Sequence, residues 1–579
     1  TVSNTMPFDF EEPADFDRDS VYSFTLTASD GVTSTVQPVS LTVENVAETA
    51  LESLGALALV AGQDPNSEFF DGEIVSLPDL NGDGHAELIV SAAFAFVQPD
   101  LDEAGRVSIL NGASLSALTQ PVTSVADLGP GDRVQIEGIG EELTLGASLA
   151  VAMLDGDELP ELVITQSLPE VAVVPGLALR DALSGDGSLD FGEVGDGGAV
   201  GGALVRTTDR DDNDFGGGLT ALDDIDGDGK NELFICAKSA RANGEFFTGR
   251  GFLVFSTALA ATVAANGSID LAGRDPLQSI VLEGERADFG LCDTVASGGD
   301  VDGDGLGDVL VGVSPGFDGP GLDREAFLIF GAALAAERSA DGFIDMGDAV
   351  ADGQAIRFAL TAPNNRADVG VASLPDINGD GFDELLLGDR RAKRSQGEAY
   401  LVFGSDTLGA TSAGVVSLAD VGSTVSGVVM RTDSTISLAG DRVKPVGDVD
   451  GDGRIDILIS AMRAGGDGRV FLVSGSELVD GALIDLGEIG SDPGDVTGLP
   501  ARGVEIADIL HNSGFRPPSI AAAGDVDDDG LDDIAIGGEL SSSPGELYLI
   551  SGRLLAQTMG PGVRQQRLSI PELFPELAP

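Results

Sequence analysis

The sequence predicts an all-β fold: a seven-bladed β-propeller with cation-binding loops, preceded by a partial β-sandwich hairpin. Three observations carry that prediction. An acidic nonapeptide followed at once by an apolar run recurs seven times, starting at Asp79, Met153, Asp224, Asp300, Asp376, Asp448 and Asp525. The starts lie 74, 71, 76, 76, 72 and 77 residues apart, and near-equal intervals mark a repeat architecture. Each interval holds about four short apolar runs separated by turn residues, which is the content of a propeller blade; a β-solenoid uses far shorter units.

Residues 1–48 differ in character from the rest of the chain. FDFEEPADFDRDSVYSFTLTASDG and TVQPVSLTVENVAE read as two alternating strands joined by a turn at Asp30–Gly31. This string resembles the last strands of a cadherin-like or immunoglobulin-like module of bacterial surface proteins. The resemblance implies calcium ligands at Glu11, Asp15, Asp17 and Asp19; the residues alone are equally compatible with a solvated acidic turn. Thr1 is not an initiator, so the sequence is expected to continue upstream. Two domains result: 1–48, the end of that module, and 49–579, the propeller.

Within each unit the acidic loop leads into a strand such as ELIVS or ILIS. A second, usually Gly-led strand comes after it, as in GRVSILNG, GRGFLVFS and GEAYLVFG. A short Leu/Ala stretch is next, expected to make a helical turn. Then come an apolar-polar strand (GSIDLAG, GFIDMGD, ALIDLGE) and a further strand (VQIEG, IVLEG, VVMRT). The last unit stops after RLSIPEL, one strand short, whereas the first begins with a surplus strand, ALALVAG at 56–62. Pairing the surplus strand with the last blade closes the ring and removes the open edge of a linear array.

The bulk numbers bound the partners. Acidic residues number 97 and basic residues 31, for a net charge of −66. Such a surface excludes nucleic acid, which requires basic patches, and suits a saline medium that screens self-repulsion. No apolar run is long enough for a membrane span. Cys236 and Cys292 fall in neighbouring units; one bridge or two small buried hydrophobes both fit the sequence.

The acidic loops carry the chemistry. Positions 1, 3, 5, 7 and 9 are Asp79, Asn81, Asp83, His85 and Glu87 in the first loop; Asp224, Asp226, Asp228, Lys230 and Glu232 in the third; and Asp300, Asp302, Asp304, Leu306 and Asp308 in the fourth. They are Asp376, Asn378, Asp380, Phe382 and Glu384 in the fifth; Asp448, Asp450, Asp452, Arg454 and Asp456 in the sixth; and Asp525, Asp527, Asp529, Leu531 and Asp533 in the seventh. Acids at 1, 3 and 5 share one concavity when the chain turns tightly, and the glycine at position 6 permits that turn. Position 7 would contribute only its carbonyl, which explains its indifference to side chain. Hard oxygen donors in this number favour calcium, about six ions in all. The start is similar to an EF-hand, but the closing acid is at position 9 rather than 12 and a strand comes after it. The second copy has Met153 at position 1 and Glu158 at position 6; it keeps Asp155, Asp157 and Glu161 and is expected to be empty or weak.

With Phe-Gly pairs at Phe215–Gly216 and Phe289–Gly290, and variants at 70–72 and 368–370, residues 52–575 resemble the FG-GAP repeats of the integrin α-subunit head. The resemblance implies calcium at one rim and ligand-binding loops on another face.

No catalytic constellation stands out, and the chain is expected not to be an enzyme. His85 is expected to face solvent, and His511 stands alone. Candidate binding loops are Arg210–Phe215, Ala362–Asp368, His511–Ser519 and the basic run Arg390–Arg394. The expected function is that of an extracellular, secreted or surface-bound module for adhesion or protein–protein contact, with a protein or glycan partner or with copies of itself. The alternatives are a structural subunit of a filament or layer, and a lyase-like enzyme acting on polysaccharide.

Overall fold

The computed structural model describes strands at 21–29, 34–42 and 56–61, and then residues 73–573 apart from 94, 96–103, 118–124, 141–143, 167–168, 243, 315–323, 361–368, 409–413, 433–437, 463–467, 490–500, 510–517, 539–545 and 560–566. The expected features at Glu11, Asp15, Asp17, Asp19, Phe70–Gly72, Ala362–Asp368 and His511 lie outside the described residues. Contacts divide the chain into two units, Thr1–Gly55 and Ala56–Pro579. In the first, Val21–Ser29 pairs antiparallel with Ser34–Thr42.

The second unit is built from seven sheets, six of five strands and one of four. Their innermost strands are Ile74–Leu77, Leu149–Ala152, Phe215–Leu222, Leu291–Gly299, Gly370–Leu374, Ala439–Pro445 and Ser519–Gly524. Each touches the next in chain order, and the last touches the first, so the sheets stand in a closed ring. The closing strand is the one expected: Ala56–Ala61 pairs antiparallel with Glu546–Ile550 in the seventh blade.

Blade membership differs from the sequence expectation. Four antiparallel strands per blade hold, but the innermost is the strand just before each acidic loop. The apolar-polar strand leaves its own unit. Ser268–Asp270 runs parallel to Leu204–Arg206 of the second blade, Phe343–Asp345 to Val281–Glu283 of the third, and Arg567–Ser569 to Glu505–Ala507 of the sixth. Every unit from the second onward therefore clasps the blade before it. A three-residue strand has too little area to hold a sheet edge alone, and here the neighbour's edge supplies its ladder.

The strand composition results from the stacking. Strands such as Glu232–Ala237 and Asp308–Val313 are buried along their whole length, because sheets cover both faces. They read as continuous apolar runs rather than alternating ones. One inter-sheet core joins Phe234, Phe255, Phe289, Val311 and Phe327 across the third and fourth blades. The phenylalanines of the Phe-Gly pairs pack edge-on against strand aromatics, Phe215 on Phe252 at 5.3 Å and Phe289 on Phe327 at 5.8 Å. The glycine that leads the third strand has a steric reason. A β-carbon at Gly249 would lie 2.3 Å from the Leu291 backbone nitrogen of the next blade, so neighbouring backbones meet there. The same two blades are joined by a Cys236–Cys292 disulfide with Cα atoms 5.4 Å apart, which resolves the alternative left open by the sequence.

Candidate metal centre: a belt of acidic loops

The seven loops each connect an innermost strand to the strand beside it, so all lie at one end of the ring. The sixth shows the local construction. Asp448 at position 1 gathers three backbone N–H groups: Gly451 at 2.7 Å and Asp452 at 3.0 Å donate to Oδ1, and Gly453 at 2.8 Å donates to Oδ2. Gly453 has φ of 82°, the left-handed conformation required at position 6. Asp450 accepts from the N–H of Asp452, and Asp452 from that of Arg454, at 3.1 and 3.0 Å. The loop is thus wound around its own carboxylates, and the Oδ2 atoms of Asp450 and Asp452 lie 3.0 and 3.4 Å from the Ser474 hydroxyl.

Position 9 closes each loop from below. Its carboxylate accepts the position-2 N–H in all seven loops, for example Leu80 to Glu87 at 2.8 Å, Val301 to Asp308 at 3.1 Å and Val449 to Asp456 at 3.0 Å. The other four pairs are Leu154 to Glu161, Ile225 to Glu232, Ile377 to Glu384 and Val526 to Asp533. All seven acids at this position are completely buried. Burial, reinforced by the neighbouring acids, pushes their carboxyls up, to about 8 for Asp308 and Glu384 and about 7 for Glu87, Glu161, Glu232, Asp456 and Asp533.

The acids converge. One carboxylate oxygen from each of Asp79, Asp83 and Glu87 lies within 4.8 Å of the others, and the same holds for Asp224, Asp226 and Asp228, for Asp300, Asp302 and Asp304, and for Asp376, Asp380 and Glu384. At that separation two carboxylates repel by roughly 3.5 kcal/mol at an effective dielectric near 20. Oxygens of Asp226, Glu384 and Asp527 are buried there without a hydrogen-bond donor. Clustered carboxylates with unsatisfied buried oxygens fit a hard divalent cation of the calcium type. Where position 3 is asparagine the amide answers part of the charge: Asn81 donates to Asp83 and Glu87 at 2.8 and 3.1 Å, and Asn378 to Asp380 at 2.9 Å. Among the described residues three arginines reach the same end, Arg338 to Asp226, Arg502 to Asp450 and Asp452 at 3.3 and 3.6 Å, and Arg553 to Asp529 at 3.3 Å.

Position 7 is less indifferent than the sequence suggests. Its N–H donates to the position-5 carboxylate in each intact loop, as in His85 to Asp83 at 3.0 Å and Leu531 to Asp529 at 3.0 Å. In four of the loops its side chain also reaches the preceding loop. A β-carbon at Gly303 would sit 2.6 Å from the Phe382 ring, and one at Gly451 would sit 3.1 Å from Leu531. The Lys230 ammonium reaches the carbonyl of Asp155 at 3.4 Å. His85 does not face solvent: its Nδ1 lies 2.8 Å from the carbonyl oxygen of Val526, in the seventh loop.

Neighbouring loops are also stitched through position 8, a link that the motif alone does not suggest. The N–H of Gly307 donates to the carbonyl of Asp224, that of Asp383 to Asp300, and that of Asp532 to Asp448, at 3.0, 3.0 and 3.2 Å. The carboxylates of Asp383 and Asp532 in turn accept the N–H of Asp300 and Asp448, at 2.8 and 2.9 Å. An acid or asparagine at position 8 in the third, fifth and seventh copies is its visible signal in the sequence.

The candidate binding segments 210–215 and 390–394 fall at the opposite end. The first precedes an innermost strand, and the second joins Glu384–Asp389 to Glu398–Val402. Lys393, Arg394 and Ser395 occupy consecutive left-handed positions, with φ of 49°, 66° and 72°, and Lys393 and Arg394 are exposed. Arg390 instead pairs with the buried Asp441.

Residues 72–110, which hold the first loop and the strands around it, match the FG-GAP repeat family. No curated protein matches the chain. An FG-GAP repeat on a seven-bladed propeller suggests a module for protein interaction.

Proposed function

We propose that this chain is a calcium-stabilised propeller that works outside the cell, on a bacterial surface or as part of a secreted protein. In this reading it presents the loops opposite its acidic belt to a protein or glycan partner, in adhesion or assembly. The cadherin-like module expected at residues 1–48 would act as its neighbour on the same chain, and the propeller itself is read as non-catalytic.

One observation carries the proposal. Seven buried carboxyls at position 9, each beside further acids, lie at one end of a ring whose own cations serve mainly elsewhere. An external divalent ion supplies the missing charge. Calcium modules of the extracellular kind bind at about 10⁻⁴–10⁻³ M, so cytosolic calcium would leave these loops bare. The disulfide supports the same setting, since such bonds persist in oxidising compartments. At free calcium tenfold above the dissociation constant each site adds about 1.4 kcal/mol, and six add on the order of 8 kcal/mol. That is comparable with the whole stability of a typical domain, about 5–15 kcal/mol.

The test is a denaturant melt in millimolar calcium and again in excess chelator. A loss of several kcal/mol is expected, restored by calcium. Identical curves would remove the calcium reading. A polysaccharide-degradation screen with product detection checks the non-catalytic assignment, and reproducible turnover would overturn it.

A further inference from the structure

We propose that the second loop, although it lacks the leading aspartate, is a seventh cation site that takes a divalent, oxygen-seeking ion. The inference rests on the reading that the six intact loops bind such ions. Of the two alternatives drawn from the sequence, an empty loop or a weak site, it selects the second.

Glu161 carries the argument. It is completely buried. Its Oε2 accepts the N–H of Leu154 at 2.7 Å, while its Oε1 is buried with no hydrogen-bond donor. Oxygens of Asp155, Asp157 and Glu161 lie within 4.8 Å of one another. A buried carboxylate oxygen without a donor is costly, and two acidic neighbours raise the cost. The chain brings one cation close, the Lys230 ammonium, but it rests on the carbonyl of Asp155 and over Gly156. Among the described residues no ion pair joins it to the three carboxylates.

The substitution at position 1 removes less than it suggests. In an intact loop the position-1 carboxylate chiefly organises the turn by collecting backbone N–H groups. Here the turn is held from outside. Asn231 of the next loop brackets Met153, accepting its N–H at 3.1 Å and donating to its carbonyl at 3.3 Å. Within the loop, Asp155 accepts the N–H of Asp157 at 2.9 Å and Asp157 that of Leu159 at 2.7 Å, the same rungs as in the sixth loop. One ligand and one charge are lost, and the three converging acids remain. Fewer protein oxygens leave more coordination positions to water. Magnesium retains several waters and needs few carboxylates, so this loop discriminates less between magnesium and calcium than the other six.

The test counts calcium bound per chain after equilibrium dialysis in millimolar calcium, on the full chain. Asp157→Asn changes an exposed acid and is expected to release one ion relative to wild type. Asp452→Asn, in the sixth loop, is the control and is expected to do the same. Met153→Asp restores the missing ligand and is expected to raise the affinity of the weakest site roughly tenfold. Magnesium is expected to displace the ion that Asp157→Asn removes before any other. If Asp452→Asn loses an ion and Asp157→Asn loses none, the seventh site is wrong and the six stand. If neither variant loses an ion, the reading of the intact loops fails and this inference fails with it.

Discussion

The two ends of the ring bury carboxylates in opposite ways. Away from the loops, acids are met by the chain's own arginines. Arg250 lies 2.5 Å from Asp212 and 3.0 Å from Glu283, Arg324 lies 2.5 Å from Asp389, and Arg469 lies 2.5 Å from Glu505, with all four acids buried. At the loop end, Asp308, Asp456 and Asp533 are equally buried but are met by backbone N–H groups and by further acids. A guanidinium is permanent and fixes its fork geometry; a backbone N–H carries no net charge. The difference teaches that one end of the molecule answers its buried acids with its own cations, while the other leaves most of that charge to the ions of the proposed calcium reading.

The largest expected effect separates the ends directly. Arg324→Met would leave Asp389 buried without its guanidinium, and should cost about 3–5 kcal/mol equally in calcium and in chelator. Asp308→Asn should give a loss that depends on calcium. In chelator it replaces a carboxyl that accepts two backbone N–H groups with an amide that accepts one, and should cost about 1–3 kcal/mol; in calcium it should forfeit in addition about one site's contribution, roughly 1.4 kcal/mol. Equal behaviour of the two variants across calcium, measured by denaturant melts, would erase the distinction.

The disulfide ranks next. It closes a span of 56 residues between the third and fourth blades, and the replacement of both cysteines by alanine should cost about 2–4 kcal/mol. Since it lies away from the loops, the loss should be the same with and without calcium.

The pH dependence sharpens the comparison through its sign. With the ion removed, the position-9 carboxyls hold protons up to about 7 or 8, against about 4 in an unfolded chain. The native state then binds more protons than the unfolded state between those values. Its stability should therefore fall as pH rises from about 4.5 to 8. Calcium requires the ionised carboxylates, so in calcium the trend over that window should reverse. Melts at pH 5 and pH 8, each with calcium and with chelator, give the four values needed; parallel trends would refute the assignment.

The smallest effect concerns the arginines that do reach the loops. Arg502 is about one-third exposed and pairs with Asp450 and Asp452. A pair of this kind is worth about 0.2–1 kcal/mol, so Arg502→Gln should tighten calcium binding at the sixth loop by roughly 1.4- to fivefold, read by titration calorimetry.

Much of this was legible in the chain. Recurrent aspartates with glycine at position 6 revealed the loops, because that conformation tolerates few other residues. The surplus strand at 56–61 revealed the closure, because a missing edge at one terminus and a spare strand at the other match. The exchange of short strands between units was not legible. Ser268–Asp270 chooses between two nearly identical edges, and the choice is made by packing rather than by its own residues. Position 7 misled for a related reason. His85, Lys230, Phe382 and Leu531 share no chemistry, yet each covers whatever the preceding loop presents. For the second loop the motif gives weight to Met153, and only the fold shows that Glu161 and Asn231 keep their places around it.

The strand at Ala56–Ala61 sets a schedule as well as a boundary. It leaves the ribosome before any blade exists, and its partner Glu546–Ile550 emerges only after nearly the whole ring has been translated, on the order of a minute later. Until then both edges stay unmatched, and each could accept a strand from another copy of the chain. Dilution, chaperone cover or early delivery across a membrane during synthesis should therefore govern the yield of correctly sealed molecules more than the final stability does.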